Sequence, residues 1–366
     1  MRGSTASGAS ASALRPYLPQ LVIEWLEQTP DEVARSIDST GVFADISGFT
    51  QLTERLAGRG KVGAEEMGDT LNLVFGELLT TAYAYDAGLV KWGGDAVLLH
   101  FQGDEHPARA AAAAVEMQRV IDRVGRIRTS SGDVRLRMSI GLHSGPLDFF
   151  LAGEEFRELI VTGPGASLVA RMEMAAEAGQ VVVSPSTADL LETAGAHLGE
   201  AVGPGRLLVT PPAVEPRPAS LPQPSALDLS QALPAPLVAH LLGGDVAYEH
   251  RSVAVCFVEF SGVDGMRETS GLPATALAVE RVVTACQRAA SQHDVTFLSS
   301  DIYPDGGKVI LVAGAPRSAG DDITRLLAAA RQVMDSDQIL SLRAGVNAGR
   351  VFAGDYGLPT RRVYSR

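Results

Sequence analysis

The hydrophobic positions in the first half of the chain change from one periodicity to another. Residues 42–46 form a short apolar run that is typical of a buried strand. Two further apolar runs, 89–90 and 96–101, flank Gly93-Gly94 and predict a hairpin. Between the first strand and the hairpin, apolar residues recur every three or four positions and predict a helix with one buried face: Met67, Leu71, Val74 and Leu78.

The rest of this half continues the alternation of helices and strands. The predicted elements are an alanine-rich helix at 107–124, strands at 136–142 and 159–161, a helix at 164–178 and a strand at 181–184. The order strand, helix, hairpin, helix, strand predicts an α+β, ferredoxin-like fold, in which helices cover one face of an antiparallel sheet.

The second half of the chain repeats the first half in three blocks, in the same order and at nearly equal spacing. The chain is therefore predicted to hold two copies of one fold. The matched blocks are 39–48 with 253–262, 89–99 with 302–312, and 136–145 with 340–349.

Proline marks the boundary between the copies. The stretch from Pro204 to Pro236 is rich in proline, which fixes φ and removes a backbone donor, so it is interpreted as an extended linker. The predicted organisation is a tag remnant and arm (1–36), a first domain (37–203), a linker (204–244) and a second domain (245–366).

The amino-acid composition of the chain limits the classes of ligand and partner that it is expected to bind. The net charge of −12 argues against general binding to nucleic acid or to an anionic membrane, so a phosphate ligand needs local positive charge. No apolar run approaches the roughly 20 residues of a membrane span. Cys256 and Cys286 are interpreted as reduced core residues. Together these features predict a cytoplasmic protein.

Two aspartates of the first copy are the candidate metal ligands. Asp45 ends the first strand and Asp95 follows the hairpin glycines. These elements are neighbours in a ferredoxin-like sheet, so the two carboxylates should meet, and a cation such as Mg²⁺ would relieve their repulsion. Taken singly, a helix cap at Asp45 and a turn residue at Asp95 remain open interpretations.

The segments FADISGFT (43–50) and KWGGD (91–95) resemble the signature of class III nucleotide cyclases, and the tandem arrangement with DIYPDGGK (301–308) is most similar to the soluble adenylyl cyclase branch. The resemblance implies conversion of ATP to 3′,5′-cyclic AMP and pyrophosphate between two cyclase domains paired as a pseudo-dimer. It implies two Mg²⁺ ions, replaceable by Mn²⁺ or Ca²⁺. The implied metal contacts are Asp45, Ile46 and Asp95, and the implied substrate contacts are Ser47, Gly48, Phe49, Thr50, Lys308 and Ser365.

The second copy has Glu259 and Lys308 at the positions aligned with Asp45 and Asp95, so one metal site is expected per chain. Lys308, or Asp305 if the hairpin register differs, is expected near the base. The resemblance also implies that Lys91 and Arg171 hold a regulatory anion, bicarbonate. In the alternative interpretation Lys91 pairs with a neighbouring carboxylate and Arg171 covers a helix surface.

The chain stops just before the copy of its 163–178 helix. In the related family that helix completes the active site, so we expect a truncated catalytic core with low activity alone. Three other functions remain open: a guanylyl cyclase, a diguanylate cyclase, and a non-catalytic module that senses nucleotide or anion.

Overall fold

The computed structural model describes residues 12–218, 225, 227–244 and 249–365. They form two lobes, each built on a mainly antiparallel sheet with helices packed against it, as the sequence predicts. Of the predicted tag remnant and arm (1–36), residues 1–11 lie outside the described residues. Among the described helices, none has the length and apolar character that a bilayer crossing requires.

Lobe 1 contains a sheet in the order β2-β3-β1-β6-β8-β10-β9, with β7 paired to one end of β6 and a separate β4–β5 hairpin. All its pairings are antiparallel except that of β6 with β8. Its strands are β1 (Ala34–Ser47), β2 (Gly88–Gly93), β3 (Ala96–Gln102), β4 (Arg126–Thr129), β5 (Gly132–Arg135), β6 (Arg137–Ala152), β7 (Glu158–Val161), β8 (Val181–Val183), β9 (His197–Val202) and β10 (Gly205–Thr210). The helices of the arm and lobe 1 are α1 (Gln20–Gln28), α2 (Phe49–Ala57), α3 (Gly60–Ala84), α4 (His106–Val124), α5 (Pro164–Ala175) and α6 (Pro185–Thr193).

The helical periodicity seen in the sequence corresponds to the buried face of α3. The side chains that predicted this helix are at most 2% exposed and pack with the apolar face of the sheet. Burial of this face stabilises the lobe, since each large apolar side chain contributes about 1.5–3 kcal/mol. The four side chains of this buried face are Met67, Leu71, Val74 and Leu78.

Lobe 2 has the strand order β12-β13-β11-β14-β15. This order reproduces β2-β3-β1-β6-β7 of lobe 1, so the predicted repeat is present in the structure. The elements of the linker and lobe 2 are α7 (Ala235–Leu242), β11 (Glu249–Ser261), α8 (Val263–Gln292), β12 (Thr296–Tyr303), β13 (Gly306–Ala313), α9 (Asp322–Met334), β14 (Ser341–Leu358) and β15 (Arg361–Ser365).

The central hairpins of the two lobes differ in length. Asp45 faces Ala96 across the sheet of lobe 1, whereas Glu259, its counterpart, faces Lys308. Lys308 therefore occupies the position of Ala96, and the predicted equivalence of Lys308 with Asp95 is wrong by one residue. The lobe 2 hairpin continues for two further residue pairs before its turn.

The segments outside the repeats are more structured than an arm and an extended linker. The sheet of lobe 1 begins at Ala34 and continues through β10 to Thr210, beyond the predicted 37–203, because the prolines at 204, 211 and 212 flank β10 without interrupting it. The linker contains α7, and Pro236 lies in its first turn, where proline is tolerated. The buried side of α1 joins an apolar cluster with residues of both lobes, among them Val90 and Ile302.

Candidate active site

Asp45 and Asp95 lie side by side where the central strands of lobe 1 end. Asp45 is directly opposite Ala96, the residue that follows Asp95 in the hairpin. The backbone N–H of Ile46 donates a hydrogen bond to the carbonyl oxygen of Asp95 at 3.0 Å. The sheet pairing thus brings the two candidate ligands together, as expected from the sequence.

Negative charge accumulates around Asp45. Burial, together with the negative charges of Asp95, Glu173 and Asp301, raises the pKa of Asp45 to about 7. Burial also raises the pKa of Asp95. Glu173 lies on α5 and accepts a hydrogen bond from Ser139 at 2.8 Å. Because several carboxylates converge here, a bound cation would stabilise the ionised site.

The sequence analysis does not identify Glu173 or Asp301 as site residues. Asp301 belongs to lobe 2, and a Cβ atom on Gly93 would lie 3.6 Å from its Oδ2 atom, so the two hairpins approach closely. Its only sequence signal is its place in the repeated block. Glu173 follows Arg171 by two residues on α5, and only the packing of α5 against β6 turns it towards Asp45.

The donor set fits a hard divalent cation. Asp45 and Asp95 supply carboxylate oxygens, and Ile46 adds a backbone carbonyl in the same turn of chain. In the part of the chain that the structure describes, no group of three or more His, Cys, Asp or Glu side chains is placed to hold one ion. The protein would therefore contribute two carboxylates, and phosphate oxygens and water would complete the shell.

The hairpin of lobe 2 presents a pair of opposite charges to this centre. Asp301 and Lys308 are direct cross-strand partners on β12 and β13. The ammonium group of Lys308 lies 3.9 Å from the centroid of the Tyr303 ring, which holds it by a cation–π contact. Burial raises the pKa of Asp301, and the charges of Lys91 and Lys308 oppose that shift.

The loop that follows Asp45 depends on a glycine. Gly48 has φ 93°, in the left-handed region, and a Cβ atom there would lie 2.8 Å from the carbonyl oxygen of Arg135. This turn allows α2 to begin at Phe49, so that Phe49 and Thr50 form its first turn. Backbone N–H groups at such a helix start favour an anion.

Arg137 is a cation beside this loop that the sequence analysis does not single out. It is directly opposite Ser47, and Asp45 is opposite Ser139, so Arg137 and Asp45 share one face of the sheet. Arg137 is exposed, and its side chain makes no hydrogen bond or ion pair with the residues that the structure describes.

The matching loop of lobe 2 is occupied by its own carboxylate. The Asp305 side chain accepts hydrogen bonds from the backbone N–H groups of Gly262 and Asp264, both at 3.1 Å. Ser167 of lobe 1 donates to Asp264 at 2.9 Å and accepts from the N–H of Asp305 at 2.7 Å. Asp305 therefore does not face the acidic centre. Its hydrogen bonds occupy the loop of lobe 2 that corresponds to the Gly48 loop of lobe 1.

Lys91 and Arg171, the predicted anion ligands, have separate carboxylate partners. The Lys91 ammonium donates to Glu158 at 2.6 Å and to Ser300 at 2.7 Å. Arg171 is half-exposed, and its guanidinium lies 3.9 Å from Asp264. The alternative interpretation, in which Lys91 pairs with a carboxylate, describes its present contacts.

Ser365 ends β15, and its backbone lies opposite Gly354. Its side chain is outside the described part of the chain, so its predicted contact with the base stays a prediction.

A cavity of about 350 Å³ opens between the lobes beside the acidic centre. Asp95 and Asp301 line one part of it. Lys91, Arg157, Glu158 and Arg361, together with apolar side chains from the arm, the linker and both lobes, line the rest. This volume lies within the usual range for a small-molecule pocket.

The comparisons with known proteins concern the family of lobe 1 and the fold of both lobes. Residues 33–205 match the family model described as the adenylate and guanylate cyclase catalytic domain. This segment, which is lobe 1, belongs to the class III nucleotide cyclase family.

The curated relatives include cyclases of both substrate types. Adenylate cyclase type 10 of Mus musculus is 23% identical over 175 residues, which are 46% of this chain and 11% of that protein. Guanylate cyclase 32E of Drosophila melanogaster is 26% identical over 191 residues, which are 50% of this chain and 16% of the relative. The match thus spans only a small part of the length of these relatives.

One solved structure resembles almost the whole chain. It is a class III adenylyl cyclase-like ATP-binding protein from Pseudomonas aeruginosa, with a TM-score of 0.60 and 11% identity over 99% of this chain and 86% of that chain. At this identity the likeness establishes the fold alone, and it extends over both lobes.

Proposed function

We propose that this chain is a nucleotide cyclase that converts ATP to 3′,5′-cyclic AMP and pyrophosphate in the cleft between its lobes, which act as a catalytic pair. The observation that carries the proposal is the placement of Asp45 beside Asp95 inside a cyclase domain, with Asp301 of lobe 2 close enough to influence Asp45. A purely structural pair of buried carboxylates would be an unfavourable arrangement.

In this reaction the ribose 3′-oxygen forms a bond to the α-phosphorus while the bond from that phosphorus to the bridging oxygen of pyrophosphate breaks. The 3′-hydroxyl proton leaves to solvent. Two divalent cations held by Asp45, Ile46 and Asp95 would acidify the hydroxyl and neutralise the leaving group. The chain itself orients the triphosphate through backbone N–H groups of the loop from Ser47 to Thr50.

We propose that Arg137 binds the terminal phosphates of the nucleoside triphosphate. A nucleoside triphosphate carries more negative charge than two aspartates and their cations can balance, and the chain has a net charge of −12. Arg137 is an uncommitted guanidinium on the face of the sheet that carries Asp45. A guanidinium is well suited to bidentate phosphate contacts.

We propose that Asp301, Lys308 and Ser365 of lobe 2 contact the base and determine which base is bound. The cross-strand pair of Asp301 and Lys308 offers one acceptor and one donor. This edge complements the N6 amino group and N1 of adenine, and equally the N1–H and O6 of guanine. We propose ATP as the substrate, with guanylyl cyclase activity as the alternative to be measured in parallel.

Regulation by bicarbonate is proposed at Lys91 and Arg171. An activating anion would have to replace Glu158 at Lys91 and Asp264 at Arg171. Bicarbonate should then raise the rate of the wild-type chain and leave a Lys91→Gln variant unaffected. If bicarbonate has no effect on the wild type, Lys91 is only part of an ion pair.

The direct test incubates the purified chain with ATP or GTP and Mg²⁺ or Mn²⁺, and separates the products chromatographically. Cyclic AMP from ATP supports the proposal, and cyclic GMP from GTP, with no cyclic AMP, would assign a guanylyl cyclase. A cyclic dinucleotide formed from two molecules of GTP would assign a diguanylate cyclase. If nucleotide binds without any turnover, the chain is a sensing module.

A further inference from the structure

We propose that the N-terminal arm and the linker between the lobes form part of the wall that receives the nucleoside of the substrate. The inference rests on the proposed function. It assigns a binding role to two segments outside the repeated cyclase folds, with the purine base and ribose as the ligand.

The cavity wall is contributed by four separate parts of the chain. The arm supplies Leu18 and Val22, and the linker supplies Leu233 and Leu237. Each of these side chains is less than 9% exposed. Val90 of lobe 1 and Leu298 of lobe 2 complete the apolar surface.

The polar end of the same cavity determines which part of a nucleotide it would hold. Asp95 lines this end, so cations and phosphates belong there, and the nucleoside extends past Asp301, the proposed base contact, into the remaining volume. An apolar surface with a few polar groups is the usual environment of an aromatic heterocycle. The volume of about 350 Å³ admits a base with its ribose but leaves little room to spare.

Both segments are fastened to the lobes by polar contacts. The Tyr17 hydroxyl donates to Asp355, which also pairs with Arg362 at 3.1 Å. The Arg361 guanidinium donates to the carbonyl oxygen of Pro16 at 3.1 Å. These bonds hold the arm against β14 and β15 of lobe 2.

The linker is fastened to the other lobe. The backbone N–H of Arg157 donates to the carbonyl oxygen of Gln231 at 2.7 Å, just before α7. The arm and the linker therefore form a fixed wall, and a side chain that fills the cavity from α7 should exclude the nucleoside without touching the phosphate end.

The test compares binding of tripolyphosphate with binding of 3′-deoxy-ATP and 3′-deoxy-GTP, which lack the attacking hydroxyl, by calorimetry of the full chain in Mg²⁺. The affinity ratio of the tighter nucleotide to tripolyphosphate measures the contribution of the nucleoside. Leu237→Trp and Leu237→Phe fill the cavity. Leu242→Trp is the matched control, since Leu242 lies on the same helix and is 48% exposed.

We expect the wild type and Leu242→Trp to prefer the nucleotide over tripolyphosphate by about tenfold or more, and Leu237→Trp to lose about tenfold in this ratio, the equivalent of about 1.4 kcal/mol. The affinity for tripolyphosphate should stay the same. If Leu237→Trp folds and keeps the wild-type ratio, the inference is wrong.

If neither Leu237→Trp nor Leu237→Phe shows a cooperative thermal transition, the Leu237→Ala variant provides the test of the inference. Loss of the wall contact should lower the ratio, and an unchanged ratio overturns the inference. A wild type that binds tripolyphosphate as tightly as the nucleotide also overturns it, while the phosphate site survives. A wild type that binds neither compound contradicts the proposed function itself.

Discussion

The two lobes share one strand order but carry different chemistry at corresponding places. In lobe 1 the hairpin is short, and its turn places Asp95 next to Asp45, with the following loop open to an anion. In lobe 2 the hairpin is two residue pairs longer, and its turn carboxylate, Asp305, bonds to the loop of its own lobe. Under the proposed function, this difference in hairpin length leaves lobe 1 as the copy that binds the cation, although the two lobes share one fold.

The largest expected effect separates the two copies at their metal positions. Asp95→Asn should lower cyclase activity by about 100- to 1,000-fold, because one carboxylate of the cation site is lost. Glu259→Gln, at the lobe 2 position that corresponds to Asp45, should keep the wild-type rate. Initial rates of cyclic nucleotide formation measure both, and equal losses in the two variants would mean that the lobes are functionally equivalent.

The second effect concerns phosphate binding beside lobe 1. Arg137→Gln should weaken the binding of tripolyphosphate about 10- to 100-fold, since a hydrogen bond between charged groups is worth about 1.5–3 kcal/mol. Arg137→Lys should recover part of this affinity. Arg128→Gln removes an exposed arginine of the nearby β4–β5 hairpin and serves as the control. If Arg128→Gln weakens tripolyphosphate binding by a similar factor, Arg137 contributes only general electrostatic attraction.

The third effect is a pH dependence confined to lobe 1. His143 is buried against Ser184, and burial lowers its pKa to about 4 from the ordinary 6.5. The unfolded chain therefore takes up a proton at His143 between pH 6.5 and 4 that the folded lobe does not bind, and the contribution of His143 to the stability of lobe 1 falls as the pH decreases through this window.

His143→Asn copies the residue of lobe 2, Asn347, and should make this pH dependence shallower by up to about one proton. His100, whose pKa burial also lowers to about 4, keeps the remaining dependence. Denaturant unfolding at several pH values between 4 and 7 measures the slope. His197→Asn, at an exposed position of the same lobe, is the control, and a slope that His143→Asn leaves unchanged would contradict the assignment.

The smallest expected effect tests the closed loop of lobe 2. Asp305→Ala should destabilise lobe 2 by about 1 kcal/mol, because the backbone N–H of Asp264 loses its acceptor and that of Gly262 keeps only the backbone carbonyl of residue 305. Asp321→Ala is a suitable control, since both aspartates have positive φ, at 63° and 46°, while Asp321 makes no side-chain cap bond to its helix. Urea unfolding should show a larger loss for Asp305→Ala, and equal losses would attribute the effect to backbone strain alone.

The comparison of the lobes also explains what the sequence could predict. The spacing of Met67, Leu71 and Val74 and the repeated blocks report burial and self-similarity, which depend on local pattern, and both predictions agree with the structure. The contact of Asp45 with Asp95 followed from the strand order.

The residues that sequence reasoning missed depend on packing or on exact register. Alignment of the repeats placed Lys308 opposite the wrong residue because two extra residue pairs in a hairpin leave the hydrophobic pattern unchanged. Glu173 and Asp301 join the acidic centre only through tertiary packing. The proline-rich composition of the linker gave no sign that Leu237 would lie on a cavity wall.

The number of cation-dependent nucleotide sites per chain tests the central claim most directly. Calorimetric titration of the full chain with 3′-deoxy-ATP or 3′-deoxy-GTP in Mg²⁺ should give one site per chain. That site should disappear in Asp45→Asn and remain in Glu259→Gln. Two sites per chain, or one site that survives the loss of the Asp45 carboxylate, would contradict the account.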